Sequence, residues 1–151
     1  MEKELQGRIG IVTGGSSGIG YAIANTLAEA GATVYVISRT GGEKKGLEPN
    51  REGVIHTIGD VTHFEEMRSL VNAIASREGL DFLVNNAGIT KKCRAEEFPM
   101  EDFERILNVN VTSIFALCQS AYPYLKASQH KGRIINISSM AAHLGFSEGV
   151  P

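Results

Sequence analysis

The run Thr13-Gly14-Gly15-Ser16-Ser17-Gly18-Ile19-Gly20 lies between an apolar stretch, RIGIVT (8–13), and a segment of helical spacing. A glycine-rich turn between a strand and a helix can present backbone N–H groups to an anion. No side chains hold the ligand off, and the helix N-terminus adds partial positive charge. Gly14 then permits the tight turn, Gly18 lets backbone approach a pyrophosphate, and Gly20 allows the helix to pack close on the strand. The hydroxyls of Ser16 and Ser17 stand in the same loop. No Gly-Lys-Ser/Thr follows, which argues against a P-loop. The spacing also departs from GxGxxG, so a purely structural βα turn is the competing reading.

About twenty residues further on, the second β-branched run, TVYVIS (33–38), ends in Ser38-Arg39. An acid here would hold the ribose 2′-hydroxyl of NAD, whereas an arginine fork suits the 2′-phosphate of NADP. The expected cofactor is therefore NADP(H), with NAD(H) second; a solvated surface arginine is the alternative. In Gly59-Asp60-Val61, Asp60 could accept a hydrogen bond from an adenine amino group. It could equally be a loop acid near the next helix N-terminus.

These residues need a scaffold that gathers them. The pattern predicts strands at 8–13, 33–38, 54–58, 80–84 and 132–138, separated by helix-length segments. A helix over 19–30 would bury Ile19, Ile23, Leu27 and Ala30, with Gly31 as its terminating glycine. Residues 41–53 read as a loop. Thr62 and Glu65 form a candidate capping box for a helix running to about Arg77, with Met67, Leu70, Val71 and Ile74 inward. A long helix from Met100 to about Ser128 offers Phe103, Ile106, Leu107, Val111, Ile114 and Leu117 to a core. Pro123 is expected to kink or shorten it. Strands alternating with helices imply an α/β, Rossmann-like, doubly wound parallel sheet with helices on both faces, in one domain over 1–151. Ligands of such sheets bind at the carboxyl ends of the strands. That brings 13–20, 38–40, 85–90 and 136–139 to one rim, and these are the segments richest in Gly, Asn and Ser.

Composition narrows the function classes. The chain has 151 residues, seventeen glycines and a formal charge of −2. That charge gives no attraction to nucleic acid. No apolar run is long enough to span a bilayer, and the polar start shows no signal peptide. Cys93 and Cys118 have no CxxC spacing and read as free thiols in a reducing, cytoplasmic setting. His56, His63, His130 and His143 show no metal-ligand spacing. Lys91, Lys92 and Arg94 form a basic knot beside the expected cleft. They are either solvated charge or an attractor for an acidic substrate.

Taken in order, TGGSSGIG (13–20), GDV (59–61), NNAG (85–88), NVN (108–110) and RIINISS (133–139) resemble the short-chain dehydrogenase/reductase family. The opening Leu5-Gln6-Gly7-Arg8 is similar to the usual family start. The resemblance implies a nicotinamide cofactor across the strand ends, with Gly14, Gly18, Ile19 and Gly20 at the pyrophosphate. Asn86, Ala87 and Gly88 would line the cofactor. Asn110 would match the family's site asparagine, which helps hold a water in the proton relay. Ser139 would match its catalytic serine, bonding the substrate oxygen. Read on their own, Asn110 could simply bond backbone, and Ser138-Ser139 could simply end a strand. One departure concerns the cofactor: many NADP-preferring members carry a basic residue where Ser17 stands here.

The resemblance further implies hydride transfer between NAD(P)(H) and a small-molecule carbonyl or secondary alcohol. Both 3-oxoacyl-carrier-protein reduction and sugar-acid or polyol oxidoreduction fit. Pairing into a homo-oligomer through the helix at 100–128 is a further expectation, though its apolar stripe could equally be core. The family's Tyr-x-x-x-Lys would begin about a dozen residues after Ser139, at or beside position 152, beyond the 151 residues of the sequence. The expectation is that the sequence is part of a chain of ~250 residues, with an open apolar edge at Ile134–Ile137. A nucleotide-binding or interaction module without turnover is the rival.

Overall fold

The computed structural model describes residues 3–142. Strands β1 (Ile9–Thr13), β2 (Thr33–Ser38), β3 (Val54–Ile58), β4 (Phe82–Asn85) and β5 (Arg133–Asn136) form one parallel sheet in the order β3-β2-β1-β4-β5. Helices α1 (Gly18–Glu29), α2 (Phe64–Glu78), α3 (Met100–Leu107) and α4 (Ser113–Ala127) make the crossovers, except that a helix-free loop joins β2 to β3. The chain builds outward from β1 to β3, then returns through α2 to place β4 on the other side of β1. The topological switch therefore falls between β1 and β4, where a doubly wound sheet opens a crevice at its carboxyl edge.

The central strands are apolar on both sides because both sides are covered. Ile11, Tyr35, Ile37 and Leu83 face α2 and α4, packing against Met67, Val71, Ile74, Leu117, Ala121 and Leu125. Val12, Val34, Val36, Phe82 and Val84 face α1, packing against Ala24 and Ala28. The edge strand β5 is exposed along its length, with Ile134 and Ile135 each 41% accessible. On the α1 face, Leu5, Ile23, Leu27, Phe82, Ile135 and Ile137 line an apolar groove of about 370 Å³.

Several expectations about the helices need correcting. In α1 the residues against the sheet are Gly20, Ala24 and Ala28, not Ile19, which is 65% exposed. A line of small residues lets the helix axis approach the strands, and Ile23 and Leu27 pack at its flank. The helix does end at Gly31 (φ +103°). Gly31 N–H bonds Ala28 O at 2.9 Å and Ala32 N–H bonds Leu27 O at 3.1 Å, a Schellman closure that needs the left-handed residue.

The expected capping box at α2 does not form. The helix starts at Phe64 after His63, and the Thr62 hydroxyl donates to Asp60 Oδ1 at 2.7 Å instead. Glu65 pairs with Arg68. A short polar side chain one position too early finds the nearer acceptor.

From Met100 to Ala127 the chain is helical throughout, but Asn108–Thr112 widens into a π turn between α3 and α4. This extra residue per turn rotates the helix beyond it. Val111, inside the turn, is 58% exposed, and Leu107, just ahead of it, 37%; Leu117 keeps its expected buried place, in a stripe with Ser113, Ala121 and Leu125. Pro123 neither ends nor shortens the helix, because it sits on the exposed side where a released carbonyl can face solvent.

Candidate functional site

At the carboxyl ends of β1, β2 and β4, and beside the turn after β3, lies a cleft of about 810 Å³, within the range of small-molecule sites. Its wall is built from strand ends. Gly14, Ser16 and Ser17 come from the turn after β1, and Ser38, Arg39 and Thr40 from the end of β2. Asp60, Val61 and Thr62 follow β3, and Asn86, Ala87 and Gly88 follow β4.

The turn after β4 is locked onto the glycine loop by reciprocal bonds. Thr13 Oγ1 accepts the backbone N–H groups of Asn86 (3.1 Å) and Ala87 (3.0 Å). The Asn86 amide donates back to Thr13 O (3.0 Å) and Gly14 O (3.2 Å). The backbones pass so close that a Cβ on Gly14 (φ +67°) would stand 2.9 Å from Ala87 Cα. A Cβ on Gly20 would stand 2.4 Å from Asn86 Nδ2 and 2.6 Å from Gly14 O. Gly20 thus acts by packing, as the sequence implied. At Gly18 (φ +55°) the Cβ direction is open, with no atom within 4 Å.

The ligand end of β2 carries no acid. Ser38 is buried and lies 3.5 Å from Thr40 Oγ1, while Arg39 is exposed and lines the cleft. Asp60 Oδ1 accepts both the backbone N–H (2.9 Å) and the hydroxyl of Thr62. The Thr62 backbone N–H is the main cause holding the Asp60 carboxyl below its usual range, and the Arg39 charge adds a smaller pull. Asp60 therefore faces the cleft as a carboxylate.

Several assigned residues lie outside the cleft lining. Gly18, Ile19 and Gly20 form the first turn of α1. Asn110 sits in the π turn, its amide paired twice with one residue: Ile89 N–H donates to Oδ1 (2.9 Å) and Nδ2 donates to Ile89 O (2.8 Å). Its side chain therefore clamps the 85–89 turn to the helix. A Cβ on Gly88 would stand 3.5 Å from Asn110 Oδ1. Ser139 is exposed beyond β5, its Oγ accepting the Ala141 N–H at 3.1 Å, and among the described residues its hydroxyl hydrogen has no acceptor.

The basic knot is largely neutralised. Lys91 pairs with Asp102 and Arg94 with Glu96, so among the described residues only Lys92 of the three lacks a carboxylate. The Asp102 bond raises the Lys91 pKa.

Sequence reasoning missed the wall opposite these strand ends. Glu101, Glu104, Arg105, Asn108 and Thr112 line the cleft from α3 and the π turn. They recur every three or four residues, a polar helical face opposite the apolar stripe that drew attention. Thr13 was also missed as an anchor; a lone threonine at a strand end gives no signal by itself.

A sequence profile of the family described as short chain dehydrogenase matches residues 8–151, and the chain belongs to that family. It is 35% identical over its whole length to an L-fucose dehydrogenase of Bos taurus, of which it spans 56%. It is 36% identical over 96% of its length to a 3-oxoacyl-acyl-carrier-protein reductase of Aquifex aeolicus, of which it spans 60%. The solved structure of a short-chain dehydrogenase/reductase from Serratia marcescens superposes with a TM-score of 0.80 at 34% identity, covering 96% of this chain and 64% of that one. The chain thus spans little more than half the length of the curated relatives it matches. Among the described residues, no helix is long and apolar enough to cross a membrane.

Proposed function

We propose that this chain is the nucleotide-binding part of an NADP(H)-dependent oxidoreductase acting on a small-molecule carbonyl or secondary alcohol. The observation that carries the reading is the strand-end cleft itself, lined by a glycine loop and by Arg39 with no acid at the end of β2. The residues fit the cofactor. Backbone at Gly14–Gly18 suits a pyrophosphate, the Asp60 carboxylate an adenine amino group, and Asn86–Gly88 the middle of an extended dinucleotide. An NAD 2′-hydroxyl would find no carboxylate at Ser38, whereas a 2′-phosphate would find the Arg39 fork.

The nicotinamide would supply or accept the hydride. The chain's own contribution is orientation and charge placement. Ser139, at the same rim, has a hydroxyl hydrogen free to donate to the substrate oxygen and to the negative charge that develops there. Asn110 holds the 85–89 turn against the helix and so fixes one wall of the cleft. The names of the relatives favour turnover over a nucleotide-binding module that does no chemistry. They divide between a sugar and a carrier-bound acyl group, and the basic knot, mostly paired, gives an acidic substrate little extra attraction.

A second copy of the chain is the proposed partner. Val111, Phe115 and Tyr122 are 57–69% exposed along one side of the long helix, apolar surface suited to pairing. The two cysteines are unpaired, which supports a reducing, cytoplasmic setting.

Fluorescence titration with NADPH and NADH tests the reading. NADPH should bind at least about tenfold tighter, as expected of a charge-assisted phosphate contact, and Arg39→Ala should remove the preference. Equal affinities in the unaltered protein would overturn the NADP(H) assignment, and binding of neither would overturn the nucleotide site.

A further inference from the structure

We infer that the 41–53 loop is a pH-sensitive strap, held closed on α1 while His56 is neutral and released when His56 takes up a proton. No residue of this loop has a part in the nucleotide reading, and the strap does not depend on it.

Hydrogen bonds fix which nitrogen of His56 can carry a hydrogen. Asn25, on α1, is set from two sides: its amide donates to Tyr21 O (2.9 Å) and its Oδ1 accepts the Arg51 N–H (2.7 Å). The Asn25 amide also donates to Asn50 Oδ1 (2.9 Å), so Asn50 turns its oxygen to α1 and its nitrogen the other way. That nitrogen donates to Glu43 Oε2 at 3.0 Å and lies 2.7 Å from His56 Nε2. An amide nitrogen has only hydrogens to offer, so Nε2 must accept. The closed loop therefore requires the neutral imidazole, with its hydrogen on Nδ1. Among the described residues Nδ1 is buried without a partner, a cost the closed arrangement carries.

A proton on Nε2 would point at the Asn50 amide hydrogens. The His56 side chain is only 14% exposed, so the ring cannot simply turn that hydrogen to water. Turning the Asn50 amide over would set its nitrogen against that of Asn25 and its oxygen against the Glu43 carboxylate. Asn50 is displaced instead, and Glu43 Oε2, 3.6 Å from Nε2, is at hand to receive the new N–H. The loop then loses its tie to Asn25. Among the described residues Glu43 is the one carboxylate within ion-pair distance of His56. Elsewhere on the packed elements, Glu29 of α1 lies 4.0 Å from Arg51, and Lys44, Lys45, Glu48 and Glu52 of the loop are exposed. The Tyr21 hydroxyl donates to Glu48 O, and Tyr35 of β2 lies on the α2 face. The strap reaches the cleft through the residue after Glu43: the Lys44 N–H donates to Ser16 O at 2.7 Å, and Ser16 lines the cleft. A free imidazole charges at about pH 6.5. The strap is closed on the alkaline side of that region and opens as pH falls through it, withdrawing support from the glycine loop.

Long-range proton–nitrogen correlation spectra of the full chain in mild alkali should show His56 as the Nδ1–H tautomer; the Nε2–H tautomer would overturn the proposal. Hydrogen exchange of the 42–53 amides, corrected for the intrinsic effect of pH, should speed up below about pH 6.5, by at most about tenfold per pH unit, the limit for an opening linked to one proton. In His56→Gln a side-chain oxygen that does not titrate accepts from the Asn50 amide, and exchange should stay level over the same range. In Asn50→Asp the carboxylate accepts from both the Asn25 amide and the charged imidazole, so the pH dependence should reverse. Level exchange in the unaltered protein, an equal rise in His56→Gln, or a rise shared by β1 and β4 would each overturn the strap.

Discussion

Replacing Thr13 by valine removes one oxygen and almost no volume, and that oxygen holds two strand ends together. Thr13 is 1% exposed, and its Oγ1 accepts the backbone N–H groups of Asn86 and Ala87 at 3.1 and 3.0 Å. In Thr13→Val both donors lose their acceptor. An unpaired buried donor costs about 1–3 kcal/mol. Both lie at a cleft wall where water can partly replace the oxygen, so the lower part of that range applies, about 2–3 kcal/mol for the pair. With a urea dependence of about 1–3 kcal/mol per molar, the unfolding midpoint should fall by roughly 0.7–3 M. Thr13→Ser keeps the oxygen and loses a methyl, which costs about 1 kcal/mol. The order of stability should therefore be Thr, then Ser, then Val. NADPH affinity should follow the same order, because the Asn86–Gly88 wall loses its anchor only in the valine variant. A valine variant as stable as the serine one would refute the claim that the hydroxyl fixes this turn.

Gly20→Ala should cost about 1–3 kcal/mol by overpacking, because its Cβ would lie 2.6 Å from Gly14 O. Gly42→Ala, with open space around it, should be close to neutral in the same thermal melts. Asn110→Leu leaves both the N–H and the C=O of Ile89 without their partner. Limited proteolysis between residues 85 and 99 should accelerate, and less so for Asn110→Asp, which still accepts from Ile89 N–H. The Tyr35 hydroxyl donates to Glu78 Oε1 at 2.5 Å. That bond, with Arg77 adding to it, holds the Glu78 carboxyl below its ordinary value near 4.5. A depressed carboxyl stabilises the fold above that value, and the contribution is lost as pH falls through the folded pKa. The Tyr35 hydroxyl is raised above its ordinary 10.0, chiefly by burial and then by Glu78, so its contribution holds below 10 and is lost at higher pH. Tyr35→Phe should therefore flatten both limbs of a stability-against-pH profile measured by urea unfolding. Limbs as steep as those of the unaltered protein would dismiss the pair as their cause.

The positions of the strands were readable because parallel strands are short and rich in β-branched residues; TVYVIS, buried from Val34 to Ser38, is apolar almost throughout, and the edge strand VIHTI keeps the β-branched signal. Helix faces were read less well for a specific reason. Periodicity counts large apolar side chains, whereas α1 meets the sheet through Gly20, Ala24 and Ala28. Beyond Asn108, Leu117 was placed correctly in the core, but Val111 was not, since it lies inside a π turn, which leaves no mark in composition. The cleft segments after β1, β2, β3 and β4 were legible as four runs rich in small polar residues or marked by charge. The wall from α3 was not, because its polar residues read as an ordinary solvent face until the helix crosses the strand ends.

By itself, the order of residues determined the alternation of strand and helix, the glycine turn, and the absence of an acid at Ser38-Arg39. Those are local properties, set by side-chain shape, backbone freedom and charge within a few residues. Only the tertiary structure decided what those residues meet. It joined Thr13 to Asn86 across 73 positions, turned Asn110 onto Ile89, and tied the 41–53 loop to Ser16 through the Lys44 N–H. Each is a contact between separate segments chosen by the packing of the sheet, and hydrogen bonds of that kind leave no period in the sequence to be read.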